Sequence, residues 1–165
     1  MRLVVSDTGP ILHLYEAGAL GLLGHLPEVH IPRAVAREVL EAIPSWLSEE
    51  PTWLVVTHLS PPHVEEARDW EATGILGPGE AEAIALARQL DADWFLTDDS
   101  AARLFAEAAG LEARGSLGVV LWAAAVGHLA HADARQSLER LAATSLWVSA
   151  AVLGEARAAL DELFR

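Results

Sequence analysis

Leu3-Val4-Val5-Ser6-Asp7-Thr8-Gly9-Pro10 is a short apolar run closed by a carboxylate and a turn. The paired valines favour a strand, Thr8-Gly9 turns the chain, and Pro10 suits the first turn of a helix through Ile11, Leu12, Leu14 and Tyr15. The same order recurs at Trp94-Phe95-Leu96-Thr97-Asp98-Asp99-Ser100, with a helix expected over 100–109. Open parallel sheets gather ligands in the crevice outside the carboxyl ends of their strands. Asp7 and the Asp98/Asp99 doublet, remote in the chain, are therefore expected to meet there and to hold a hard metal ion. Glu38 and the Glu80/Glu82 pair fall on expected helices that lean over the same crevice and add oxygen ligands for Mg²⁺ or Mn²⁺.

The rest of the chain alternates in the same way. Val29 to Ile31 reads as a second strand, followed by a Pro32-opened helix over 33–43 with Val35, Val39 and Leu40 at helical spacing. A short amphipathic piece holds Trp46 and Leu47, and Trp53 to Val56 is another β-rich run whose place in the sheet the pattern leaves open. Pro61-Pro62 starts a helix, Thr73 to Gly79 is a connection, and a helix spans 80–90. An extended piece at 111–114 precedes an apolar helix over 117–127, central or at a subunit contact, and helices over 131–143 and 150–164 close the chain. This alternation predicts an α/β fold with a mostly parallel sheet, and the length of 165 residues suits a single domain over 1–165.

Composition narrows the chemistry. Hydrophobic residues make up 52% and charged residues 21%, a balance that folds around a buried core. No apolar segment reaches the roughly 20 residues of a membrane helix, and Asp7 interrupts the only apolar run at the N-terminus, so no membrane, no signal peptide and a cytoplasmic location are expected. The absence of cysteine excludes disulfides, thiolate metal sites and a cysteine nucleophile. All 11 basic residues are Arg, which excludes P-loop and Schiff-base lysines. A net charge of -13 argues against broad electrostatic gripping of a phosphate backbone, so a nucleic-acid enzyme of this charge depends on bound cations or a few local arginines.

Each acid also has a plainer reading. Asp7 suits a helix N-cap, and one member of the Asp98/Asp99 doublet should cap the helix that follows. The other stays free, and adjacent like charges favour a cation. Glu80 lies in the first turn of its helix, where the macrodipole welcomes an acid whatever its function. Two positions along a helix rotate a side chain by about 200°, so Glu80 and Glu82 cannot both face one ion. Glu38, on an amphipathic helix, has the weakest independent case. Gly77-Pro78-Gly79 lacks the third glycine of a dinucleotide loop. The histidines are scattered, with surface or capping roles expected, and Ser116 either caps the apolar helix or contacts substrate. The six tryptophans lack the spacing of a base-stacking platform and read as core or interface.

Taken in order, Val4 to Pro10, Glu38 within 32–39, Gly79 to Ala87, Leu96 to Asp99 with Arg103, and Gly115-Ser116-Leu117-Gly118 resemble a PIN-domain protein of the DUF3368 group, related to VapC-type toxins. The resemblance covers nearly the whole chain and implies a three-layer α/β/α sandwich and a divalent-metal-dependent ribonuclease, often dimeric and often silenced by a small antitoxin. It matches Asp7, Glu38, Glu82 and Asp99 to the family's four acids and Thr97 to the threonine two positions before the last. The family usually has Asp where this chain has Glu82, and Glu80 and Asp98 are alternatives within their pairs. On this basis the expected substrate is RNA and the expected partners are a second copy of the chain, through apolar helices, and an antitoxin presenting Arg to the acidic cleft. A DNA nuclease or phosphodiesterase, and a non-catalytic nucleic-acid-binding or assembly module, are the competing readings.

Overall fold

A computed structural model describes residues 2–165. Among them the elements run β1 (Val4–Ser6), α1 (Thr8–Glu16), a 3-10 helix (Leu20–His25), β2 (Val29–Ile31), α2 (Arg33–Ala42), α3 (Trp46–Glu49), β3 (Leu54–Val56) and α4 (His63–Ala72). The second half continues with α5 (Pro78–Gln89), β4 (Trp94–Leu96), α6 (Ser100–Ala108), β5 (Ala113–Arg114), α7 (Ser116–Ala125), α8 (His131–Ala142) and α9 (Ala150–Leu163). The five strands form one all-parallel sheet in the order β3-β2-β1-β4-β5. Helices flank it in an α/β/α sandwich.

The strands are short, and the central β1 and β4 are buried on both faces. Val4 and Val5 in β1 and Trp94, Phe95 and Leu96 in β4 are almost wholly enclosed, as expected where helices cover a parallel sheet. α5 packs on β1 and β4 with α2 and α4 against it. Its run Ala81, Ala83, Ile84, Ala85, Leu86 and Ala87 is buried on nearly every side, and the small alanines let the helix approach its neighbours closely. α7 gathers α8, α9 and α1, and its apolar residues Val119, Val120, Ala123 and Ala124 belong to the core. The helix expected to be central or intersubunit is thus at least central.

The strand order has a direct consequence for function. Strands are added on one side of β1 as far as β3, and the chain then returns to place β4 on β1's other side. The reversal is a switch point, where two crossovers leave in opposite directions and open a crevice at the carboxyl ends. Ser6 pairs with Leu96, and the Asp7 N–H donates to the Leu96 carbonyl at 3.0 Å. Asp7 and Thr97 therefore stand side by side at that crevice. Trp53 to Val56, whose place was open, supplies the edge strand beside β2. The 3-10 turn at Leu20–His25 was not expected from the pattern, and no transmembrane-length apolar helix occurs among the described residues.

Candidate metal centre

A cleft of about 400 Å³ opens over the ends of β1 and β4, and five carboxylates line it: Asp7, Glu38, Glu80, Asp98 and Asp99. Among the described residues His13 is its one basic side chain, and no Arg reaches its wall.

Asp7 is 4% exposed and caps α1 by accepting the Gly9 N–H at 3.2 Å. Burial pushes its carboxyl well above the ordinary range; Asp98 and Glu80 add to this, while the Thr97 hydroxyl and the Gly9 N–H oppose it. The capping and ligand readings are compatible, because one oxygen serves the helix and the side chain still borders the cleft.

Asp98 and Asp99 divide their work. Asp99 caps α6 through the Ala102 N–H at 2.8 Å, and its own N–H donates to the Thr97 hydroxyl at 3.2 Å. Asp98 accepts from the Ser116 N–H at 2.7 Å and the Ser116 hydroxyl at 2.5 Å, and pairs with His13 Nδ1 at 2.7 Å. The acid at the start of α7 is favoured by the helix dipole. Ser116, expected as a cap or a substrate contact, does not cap α7 with its side chain, since Gly115 holds the N-cap position. Its hydroxyl instead fixes Asp98.

Glu38, the acid with the weakest case in the sequence, is half-buried and held by two other elements. It accepts from the Thr8 hydroxyl and from the Gly79 N–H, the latter at 3.1 Å, and so bridges α1, α2 and the start of α5. A Cβ at position 79 would collide with the Glu38 carboxylate. Gly79→Ala should therefore expel Glu38 from its place and break its bonds to Thr8 and the Gly79 N–H, a loss that the better helix propensity of Ala offsets in part. The expected outcome is a roughly tenfold loss of any activity that needs Glu38 to be oriented, in a protein that still folds. A variant that unfolds, or one that keeps full activity, would contradict it.

Glu80 and Glu82 part as their spacing requires. Glu80 lines the cleft and accepts the Gly77 N–H at 3.0 Å, closing the first turn of α5. Burial raises its carboxyl above the ordinary range, and Asp99 and Glu38 add to that against the Gly77 hydrogen bond. Glu82 turns away into a separate hollow with Arg68 and Glu71. Burial raises it as well, opposed by Arg37 and the Ala34 N–H at the start of α2. Of the four acids matched by resemblance, Asp7, Glu38 and Asp99 share the cleft and Glu82 does not; Glu80 stands where Glu82 was expected.

His13 joins the site, although the sequence pattern points the histidines to surface or capping roles. Its signal is the spacing to Gly9, four positions earlier on α1, which puts both on one face. Ser145, Leu146 and Trp147 also line the cleft, brought there by the turn between α8 and α9. Ser145 donates to Glu16 from its N–H at 3.0 Å and its hydroxyl at 2.7 Å. Burial would raise the Glu16 carboxyl, but these two bonds together with His13 hold it below its ordinary range. The remaining histidines serve elsewhere: His25 stacks on His128 with ring centroids 3.8 Å apart, and His131 pairs with Asp161.

The donor set fits a hard dication in kind, being carboxylate oxygen without sulfur and without Arg to neutralise it. Among the described residues no three side chains of His, Asp or Glu are assembled as a ready metal cage. No protein of curated function matches the chain. The family model described as PIN domain, DUF3368, matches residues 3–162; the chain belongs to that family of PIN domains, and its fold is a nuclease fold.

Proposed function

We propose that this protein is a Mg²⁺- or Mn²⁺-dependent endoribonuclease that hydrolyses RNA phosphodiester bonds. The observation that carries this reading is the gathering of five carboxylates, with no Arg in the wall, at the switch point between β1 and β4. Such a cluster repels phosphate unless a cation intervenes. PIN-domain nucleases typically use divalent metals. When bound, the ion supplies Lewis-acid charge at the scissile phosphate and acidifies water.

Asp7, Glu80 and Asp99 are the residues we assign to hold it. Glu38 and Asp98 are positioning residues: Thr8 and the Gly79 N–H fix the first, and Ser116 and His13 fix the second. A carboxylate left free of the ion accepts the proton as the water oxygen bonds to phosphorus, and the proton passes to the departing ribose oxygen as the phosphorus–oxygen bond breaks. No covalent intermediate on the enzyme is needed. The acidic surface keeps indiscriminate nucleic-acid binding weak. The resemblance to VapC-type toxins supports a further proposal, that the chain is the toxin of a toxin-antitoxin pair, works as a homodimer, and is silenced by a small antitoxin.

The test is cleavage of single-stranded and structured RNA in Mg²⁺ or Mn²⁺, run beside single-stranded DNA and a small phosphodiester, with light scattering on the same sample for the dimer. RNA cleavage that EDTA abolishes and added metal restores is the expected result. Undiminished cleavage in EDTA removes the metal from the reading, cleavage of DNA alone changes the substrate, and no cleavage of any kind leaves the non-catalytic module as the better account.

A further inference from the structure

A second hollow of about 410 Å³ adjoins the acidic cleft and shares Asp98, Leu146 and Trp147 with it. Its chemistry differs from that of its neighbour. Leu117, Leu146, Val148 and Val152 make it largely apolar, and Arg103 stands in its wall. Arg114 also borders it but is already engaged: its guanidinium pairs with Glu112 and lies 4.2 Å from the centre of the Trp94 ring. Arg103 is fixed by donating Nη1 to the Ala113 carbonyl at 3.1 Å, and its only carboxylate partner among the described residues is the exposed Glu107, at 4.0 Å, against 2.5 Å for Arg114 and Glu112.

In the second hollow a Cβ at Gly115 would lie 2.9 Å from Asp98 Oδ1 and 3.1 Å from Arg103 Nη2, so these two side chains close in on the same backbone position. Trp147 stands at their shared rim and is 84% exposed. A tryptophan read from the sequence as core or interface is thus an open indole face beside the acids. Its loop is anchored by the two Ser145 bonds to Glu16, so the indole is presented from a fixed turn.

We propose that this second hollow is a nucleotide subsite: Trp147 stacks a base of single-stranded RNA next to the scissile bond, and Arg103 pairs with the adjoining phosphate. The proposal rests on the nuclease reading for its occupant and on continuity with the acid cleft for its place. An exposed indole offers every base a flat face, and a single Arg beside apolar walls supplies the cation that the acidic half lacks. Substrate with an unstacked base fits such a hollow, and duplex does not.

The experiment titrates a short single-stranded RNA oligonucleotide into the protein in Mg²⁺ while following tryptophan emission, and measures kcat and KM on that oligonucleotide and on a small phosphodiester for native protein, Trp147→Ala, Trp147→Phe and Arg103→Gln. Expected are quenching in native protein that Trp147→Ala abolishes, a KM for the oligonucleotide raised between about 5- and 150-fold in Trp147→Ala, and KM within about threefold of native in Trp147→Phe, which keeps an aromatic face. KM for the small phosphodiester should change far less than KM for the oligonucleotide in each variant, and Arg103→Gln should flatten the salt dependence of KM. Quenching without cleavage supports the subsite and overturns the nuclease reading; cleavage with unchanged KM and quenching in Trp147→Ala overturns the subsite alone. Absence of quenching in native protein overturns it too. Light scattering that shows Trp147→Ala converting a dimer to monomer, with KM following protein concentration, would mean that the indole covers a second copy of the chain instead.

Discussion

Asp7→Asn is expected to lower kcat for metal-dependent phosphodiester cleavage by about 100-fold or more, the cost of removing one central electrostatic group, and at the same time to raise the melting temperature of the metal-free protein. Both effects come from one placement. Asp7 is buried at the switch point, and its folded-state carboxyl is raised, first by burial and then by Asp98 and Glu80. The folded state therefore binds that proton more tightly than the unfolded state does. Stability attributable to Asp7 is greatest at low pH, falls as pH climbs from the ordinary carboxylate range through the raised folded value, and is at its lowest above it. Asparagine keeps an oxygen for the Gly9 N–H and carries no charge to bury. The variant's advantage should be full above the window and vanish below it, with each kcal/mol relieved worth about 2–4 °C in a chain of this size. Mg²⁺ should raise the melting temperature of the native protein by mass action and leave the variant little changed. Melting curves across pH, with and without Mg²⁺, together with initial rates, check all of this. Equal melting temperatures at every pH would show that Asp7 bears no such strain, and undiminished kcat would remove it from the centre.

Legibility in the sequence followed the range of the interactions involved. β1 and β4 were readable because paired apolar β-formers followed by an acid and a helix start are local facts, and Asp7, Asp98 and Asp99 came with them as the residues next in the chain. The edge position of β3 was not, since Leu54–Val56 reaches the sheet only by pairing with the remote β2. Glu38 had the weakest independent case because its partners, Thr8 and Gly79, lie on two other elements. His13 and Trp147 were hidden for the same reason: the first acquires meaning only when Asp98 arrives beside it, the second only when the α8–α9 turn folds back toward α1.

Glu80 and Glu82 make the sharpest case, because helical geometry predicted their divergence and left open which would face the ion. Absolute rotation of α5 is set by where Ala81 and the stretch from Ala83 to Ala87 bury themselves against the sheet and its helical neighbours, and that places Glu80 over the cleft and Glu82 beside Arg68. Glu80→Gln should accordingly lower kcat by about 10- to 100-fold, by loss of charge at the centre, while the chain still folds, since Gln can accept the Gly77 N–H as Glu does. Glu82→Gln should stay within about threefold of native, having removed no group from the reacting region. Its folded carboxyl is itself raised by burial, so neutralising it relieves a cost while losing the attraction of Arg37, the amide oxygen can still accept the Ala34 N–H, and the melting temperature should move little. Rates and melting temperatures of the two variants, compared at one metal concentration and again at saturating Mg²⁺, separate ligand loss from misfolding: metal should partly rescue Glu80→Gln and leave Glu82→Gln where it was. The reverse ranking, with Glu82→Gln the deeper loss, would mean that α5 presents its other side to the substrate and that the third acid of the centre is the one the family resemblance indicated.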